Sequence, residues 1–270
     1  MASGPIGAGH TGCVVDPDSA PLGDDRERAS RLRQLEAAVS RSGHAVADLE
    51  HRLVPAWRAR TRGEPRWIVS LAVAGAIALQ LALPRKLALP PTWLLPAAGL
   101  GLLIGLLAVN PNRIDRRSRV VRSMSIGLTI VLSLANAASA ARLIANVVNG
   151  HMGTKATPLL WSGASIWSTN VIVFSLWFWE LDRGGPADRA HGVHHYPDFL
   201  FPQMTAPEFA PADWEPQYID YLYLSFTNAT AFSPTDVLPM VRWAKMTMLL
   251  QSAVSLSTVA LVIARAINIL

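Results

Sequence analysis

The chain is poor in cysteine and in charge. One cysteine in 270 residues, Cys13, excludes an intramolecular disulfide and leaves the redox compartment unread. Only 16% of residues are charged, against about 25% in ordinary soluble domains, which argues against a soluble two-domain protein. No HExxH, nucleophile elbow or phosphate-binding glycine loop occurs, so the chain is expected not to be an enzyme and to need no cofactor. The first 23 residues contain no apolar run long enough for a signal peptide.

What is present is apolar. Half of the residues are hydrophobic (51%), and mean hydropathy is positive, +0.27. Several stretches of about 20 apolar residues predict a helical protein of the plasma (inner) membrane that crosses it several times. The net charge of +5 comes largely from Arg beside hydrophobic segments, where it sets orientation and meets anionic headgroups; nucleic acid is not the expected partner.

Residues 1–23, rich in Gly, Pro, Ala and Ser, are expected to form a disordered tail. Residues 24–64 read as a soluble or interfacial amphipathic helical region, capped by Asp24 or Asp25. Its Leu32, Leu35, Val39, Ser42, Val46, Leu49 and Leu53 follow alternating steps of three and four. That seam fits either self-association or a helix lying on the membrane.

Residues 65–181 predict four transmembrane helices. The first runs from Arg66 to Leu83, with Trp67 at the interface, and the second from Thr92 to Val109. Ala97, Gly101 and Gly105 give the second a small-residue face for helix packing. Arg113, Arg116, Arg117, Arg119 and Arg122 against Asp115 make the following loop cytoplasmic by the positive-inside rule. The third span, Ser123–Val148, carries Arg142, which fits either a functional intramembrane charge or a snorkelling one. The fourth, Pro158–Leu181, ends in the aromatic run Trp177-Phe178-Trp179 before Glu180. Residues 182–217 form a polar connection in which His191, His194 and His195, with Asp188 and Asp198, are weak candidate metal ligands; their spacing matches no zinc motif.

Residues 218–270 give the clearest functional pattern. Tyr218–Phe232 could form an amphipathic half-helix, and Ser233-Pro234-Thr235-Asp236 must leave helical geometry because the residue before proline is pushed towards extended backbone. A full apolar span follows. The fold class expected is therefore all-α, with about five transmembrane helices and a re-entrant half-helix before the last. On that last helix Lys245, Gln251, Ser255, Thr258, Arg265 and Asn268 recur near the helical period as one polar stripe. The stripe fits interhelical hydrogen bonding or a pore wall.

The run DYLYLSFTNATAFSPTDVLP with the helix after it resembles the pore helix, filter and inner helix of bacterial two-span potassium channels, with Phe226, Thr230, Asp236 and Pro239 in step. The likeness covers about a fifth of the chain. Ala231-Phe232-Ser233-Pro234-Thr235 stands where that family has its glycine-containing filter, so potassium selectivity is not implied. From Trp67 onward the chain also resembles a group of uncharacterised bacterial multi-pass membrane proteins sharing WELDRGGP and SFTNATAFSPTD, a likeness that implies no activity.

A cytoplasmic Arg-rich loop puts residues 182–217 on the cytoplasmic side as well, whereas a potassium-channel arrangement needs that connection outside. The reading adopted is five spans with a loop entering from the cytoplasmic face; six spans, or convergence of sequence alone, are the alternatives. A cation channel would use Thr227, Asn228, Thr230, Ser233, Thr235 and Asp236 as oxygen donors above Gln251, Ser255 and Thr258, in a homo-oligomer conducting monovalent or divalent cations. A non-conducting structural or interaction protein would use the same stripe to hold its helices together. A membrane-embedded enzyme built on the histidines and Glu180 is the third reading.

Overall fold

The computed structural model describes residues 55–61, 63–109, 113–114, 118–150, 156–230 and 236–269. The tail and the amphipathic seam expected before residue 55, and Ser233 and Thr235, lie outside the described residues. The described chain is all-α but for two pairs of two-residue strands. Its eight α-helices are α1 Arg66–Ala82, α2 Leu94–Val109, α3 Arg119–Val148, α4 Ala156–Leu181, α5 Pro186–Ala190, α6 Pro202–Thr205, α7 Tyr218–Thr230 and α8 Arg242–Ile269.

Three segments are long and apolar enough to cross a membrane: Arg119–Val148, Ala156–Gly184 and Arg242–Ile269. α1 and α2 are apolar but shorter, with 17 and 16 residues, or about 25 Å at 1.5 Å per residue. Large apolar side chains face outward along the bundle, among them Leu100, Ile104, Ile130, Leu134, Leu249, Leu256 and Ile263. In water such surface would be an association liability; against lipid it is the expected exterior.

α4 is the central helix, packed against α1, α3, α7 and α8. Small residues allow this. Ser162, Gly163, Ser165, Thr169 and Ser175 are all buried on it, and a Cβ on Gly163 would lie 2.9 Å from both methyls of Val262 on α8. The small face expected on α2 is packed only at Gly105, where a Cβ would lie 2.7 Å from Met124 Cε of α3. Ala97 and Gly101 are exposed, no atom lies within 4 Å of a Cβ built on Gly101, and the buried positions are Gly99, Leu103 and Leu106. Spacing identified small residues but not their orientation.

The helix ends sort into two groups. Arg66 at the start of α1, Ser118 before α3 and Glu180 near the end of α4 border one cavity. At the other end Leu83 and Leu87 join Leu143 of α3, Leu159 of α4 and Ala266 of α8 in a separate apolar cluster. There Arg142 donates to the Ala88 carbonyl, which occupies its charge with the α1–α2 connection.

α7 starts at the first end and stops part-way. Its Tyr218 amide bonds Glu64, while Ser255, the fourteenth of the 28 residues of α8, donates to Ala229 O near the α7 terminus (2.5 Å). Beyond the tip the chain is again at the starting end. Strand β4, Leu238–Pro239, pairs antiparallel with β3, Phe199–Leu200, and Met240 N donates to Asp198 O (2.8 Å). The other pair joins β1, Glu64–Pro65, to β2, Arg113–Ile114.

Gly163→Val should force α4 and α8 apart and cost about 1–3 kcal/mol, read as a lower melting temperature in detergent. Gly101→Ala should leave it unchanged or raise it, since alanine is the better helix former by about 1 kcal/mol.

Candidate functional site

The connection after α4 is folded, not a loose polar loop. Asp182 is fully buried at its start. One carboxylate oxygen accepts from the amides of Asp198 (3.0 Å) and Phe199 (3.4 Å), and the other from the Tyr221 hydroxyl (2.5 Å). Arg183 follows with φ of 50°, a left-handed backbone that a non-glycine residue adopts only when its surroundings hold it there. Its amide donates to Asp198 (2.8 Å), and its guanidinium donates to Trp57 O.

Gly184 and Gly185 continue the turn at φ of 80° and 98°. A Cβ on Gly184 would lie 2.8 Å from Asp188 Oδ2, and one on Gly185 would lie 2.9 Å from Glu180 O, so two glycines are needed to bring the chain back on itself. Pro186 then opens the short helix α5, which delivers Arg189 to the interior.

Arg189 is the centre of the cluster. It donates to the carbonyls of Trp179 (2.5 Å) and Asp182 (3.0 Å) and to Glu64 Oε1 (3.3 Å), with its guanidinium 5.0 Å from the Tyr221 ring centre. Glu64 also accepts from Trp179 Nε1 (3.1 Å to each oxygen) and from the Tyr218 amide (2.9 Å). Burial pushes the Glu64 carboxyl above its ordinary range, and Arg189, the Tyr218 amide and Trp179 pull the other way. The half-buried Asp198 is raised for the same reason, with the Arg183 amide opposing.

Beside this cluster lies a cavity of about 380 Å³, between the starts of α1 and α3 and the Gly184–Asp188 turn. Arg66, Arg119 and Arg122 give it positive charge. Arg122 is half-exposed and 3.7 Å from Asp188 Oδ2. Glu180, buried, accepts from Ser125 Oγ at 2.8 Å at the cavity wall. The WELDRGGP run thus builds both features: Trp179, Glu180 and the two glycines line the cavity, and Asp182 and Arg183 are buried in the ion cluster.

The polar residues of α7 and α8 meet elsewhere, deeper in the bundle. Gln251 donates to Ser225 O (2.8 Å) and Ser225 Oγ (2.7 Å) and accepts from Asn228 (2.8 Å). Asn228 also donates to Met248 O (2.9 Å), and Trp167 donates to Ser255 Oγ (2.7 Å). Thr227, Thr230 and Thr258 donate to carbonyls of their own helices. Gln251, Ser255 and Thr258 are at most 1% exposed. The stripe is therefore an internal seam between α8, α7 and α4, whereas Lys245 and Asn268 are exposed and Asp236 sits at the surface.

The histidines do not converge. His191 faces Ala187 O (2.7 Å), His194 and His195 are exposed, and among the described residues no group of three His, Cys, Asp or Glu side chains could hold a metal ion. The Glu64–Arg189 pair escaped the sequence reading because its members are 125 residues apart. The local signal was a buried-charge pattern, Asp182-Arg183 followed by two glycines, which reads equally as a solvated turn.

Arg189→Met should leave Glu64 buried without its counter-charge and the Trp179 and Asp182 carbonyls without their donor, and cost about 3–5 kcal/mol of stability, measured by thermal unfolding in detergent. His194→Ala with His195→Ala should change it by less than about 0.5 kcal/mol. No protein-family model, curated protein or solved structure matches this chain.

Proposed function

We propose that the chain is an integral protein of the bacterial plasma membrane with five spans, α1, α2, α3, α4 and α8, and that it works by binding at its cytoplasmic face without conducting ions. In this reading α7 is a re-entrant half-helix, as the break at Pro234 and the resemblance to potassium-channel pore modules suggest. The Arg-rich end of the bundle is cytoplasmic by the positive-inside rule. Both ends of the α7 segment are at that end, in keeping with a loop that enters and leaves on one side.

The observation that carries the reading is the closed seam. A pore wall needs its oxygens turned towards a water-filled route, but Gln251, Ser255 and Thr258 are enclosed within one chain, and Gln251 and Ser255 are bonded to α7. Such contacts between helices in lipid contribute about 0.6–2 kcal/mol each. They hold the half-helix where its backbone ends must be sheltered from hydrocarbon.

The channel reading draws on one observation of its own: α7 stops beside the middle of α8 with Thr227, Asn228 and Thr230 near its tip. In that case copies of the chain would surround an axis, with Asp236 at the mouth. Reconstitution separates the two. Binding without conduction predicts potassium and sodium flux no greater than in empty liposomes, together with a lower melting temperature for Gln251→Leu. Flux well above the empty-vesicle level that Asp236→Asn abolishes would establish the channel instead.

A further inference from the structure

The cavity beside Glu180 has the makings of an anion site that neither the seam nor the buried ion cluster uses. Five ionisable side chains border it: Arg66, Arg119 and Arg122 on one side, Glu180 and Asp188 on the other. Three guanidiniums against two carboxylates leave an excess of positive charge even with every carboxylate ionised. Arginine presents planar donors matched to phosphate oxygens, and an anion held between several of them gains charge-assisted bonds.

The carboxylates add selectivity. Glu180 is nine-tenths buried or more, is fixed by Ser125, and when ionised accepts only, so a ligand with a hydroxyl or ammonium group next to its phosphate fits both sides. The volume, about 380 Å³, suits a headgroup-sized molecule. The surroundings are amphipathic: Trp67, next to Arg66, is 65% exposed, and Val120, next to Arg119, is 64% exposed. An indole and a branched apolar side chain beside an arginine pocket are what a headgroup layer meets at a membrane surface.

We propose that this cavity binds a phosphate-bearing anion carrying a neighbouring hydrogen-bond donor, of the kind supplied by a glycerophospholipid headgroup or by a soluble phosphate ester. Arg119 and Arg122 are the primary phosphate ligands at the rim, Arg66 sets the potential of the interior, and Glu180 orients the donor. The inference deepens the binding reading above and rests on it for the membrane placement.

The test uses the full chain in a neutral detergent, with thermal unfolding followed against added phosphatidylglycerol, phosphatidylcholine of the same chain length, glycerol 3-phosphate and inorganic phosphate. The proposal predicts a saturable upward shift with phosphatidylglycerol or glycerol 3-phosphate and none with phosphatidylcholine, whose phosphate carries no donor. A shift with the lipid alone identifies a lipid headgroup; equal shifts with both identify soluble phosphate esters as ligands too. Arg119→Gln with Arg122→Gln should weaken binding about thirtyfold, on the order of fivefold per arginine. Arg119→Gln alone, at an exposed position outside the core, should weaken it about fivefold and keeps the test independent of the Arg122–Asp188 pair.

Equal shifts with phosphatidylcholine, a response to inorganic phosphate alone, or binding unchanged in the double variant would each overturn the proposal. Ion flux in the reconstitution experiment would remove the non-conducting reading yet leave this result standing, so the two can fail separately.

Discussion

The buried contact between Arg189 and Glu64 is the constraint on which the rest of the structure depends. An arginine cannot give up its charge in a protein, so a guanidinium enclosed among Trp179, Tyr221 and the end of α4 requires acceptors on every side. They come from two separate parts of the chain, Glu64 ahead of α1 and the Trp179 and Asp182 carbonyls at the close of α4, and α7 joins the cluster as a donor, its Tyr218 amide to Glu64 and its Tyr221 hydroxyl to Asp182. Removing either Arg189 or Glu64 leaves the other buried and uncompensated, and in a low-dielectric interior that costs far more than an intact pair contributes. The cluster acts as a registry device fixing where α1 begins, how α4 ends and where α7 starts.

Two consequences follow from that registry. First, α7 begins beside Glu64 and runs inward along α4 and α8, where Ser225, Asn228 and Gln251 meet. Gln251, Ser255 and Thr258 of α8 are then satisfied internally. Second, the tight turn over Arg183, Gly184 and Gly185 that lowers Arg189 into the core also forms one wall of the arginine-lined cavity. Under the proposed placement, the same residues that hold the bundle together shape its cytoplasmic surface. Stability and binding would therefore be coupled at Glu180 and Asp182 and separable at Arg119.

Much of this was legible in the sequence. Apolar runs gave the long helices to within a few residues because hydrocarbon-facing and core-facing positions are apolar alike. The half-helix from Tyr218 and the interhelical use of Gln251, Ser255 and Thr258 were among the readings, since proline chemistry and helical period are local properties. What was not legible depended on distance or direction. Nothing in the spacing of Ala97, Gly101 and Gly105 says which way that face turns, and of the three only Gly105 lies close to a neighbouring helix. Glu64 and Arg189 each look like ordinary surface charges until the fold brings them together. Imidazole is a common ligand, yet His194 and His195 are exposed and no group of three His, Cys, Asp or Glu side chains that could hold a metal ion forms among the described residues.

The depth and return of the α7 segment are measured most directly by cysteine accessibility. With Cys13 replaced by Ser, single cysteines are introduced at the exposed positions Asp213, Leu238 and Lys86 and probed with a membrane-impermeant thiol reagent on either side of sealed vesicles. A re-entrant α7 segment makes Asp213→Cys and Leu238→Cys react from the same side and Lys86→Cys from the opposite one. Reaction of Asp213→Cys and Leu238→Cys from opposite sides would mean that the segment crosses the bilayer, which contradicts a re-entrant loop.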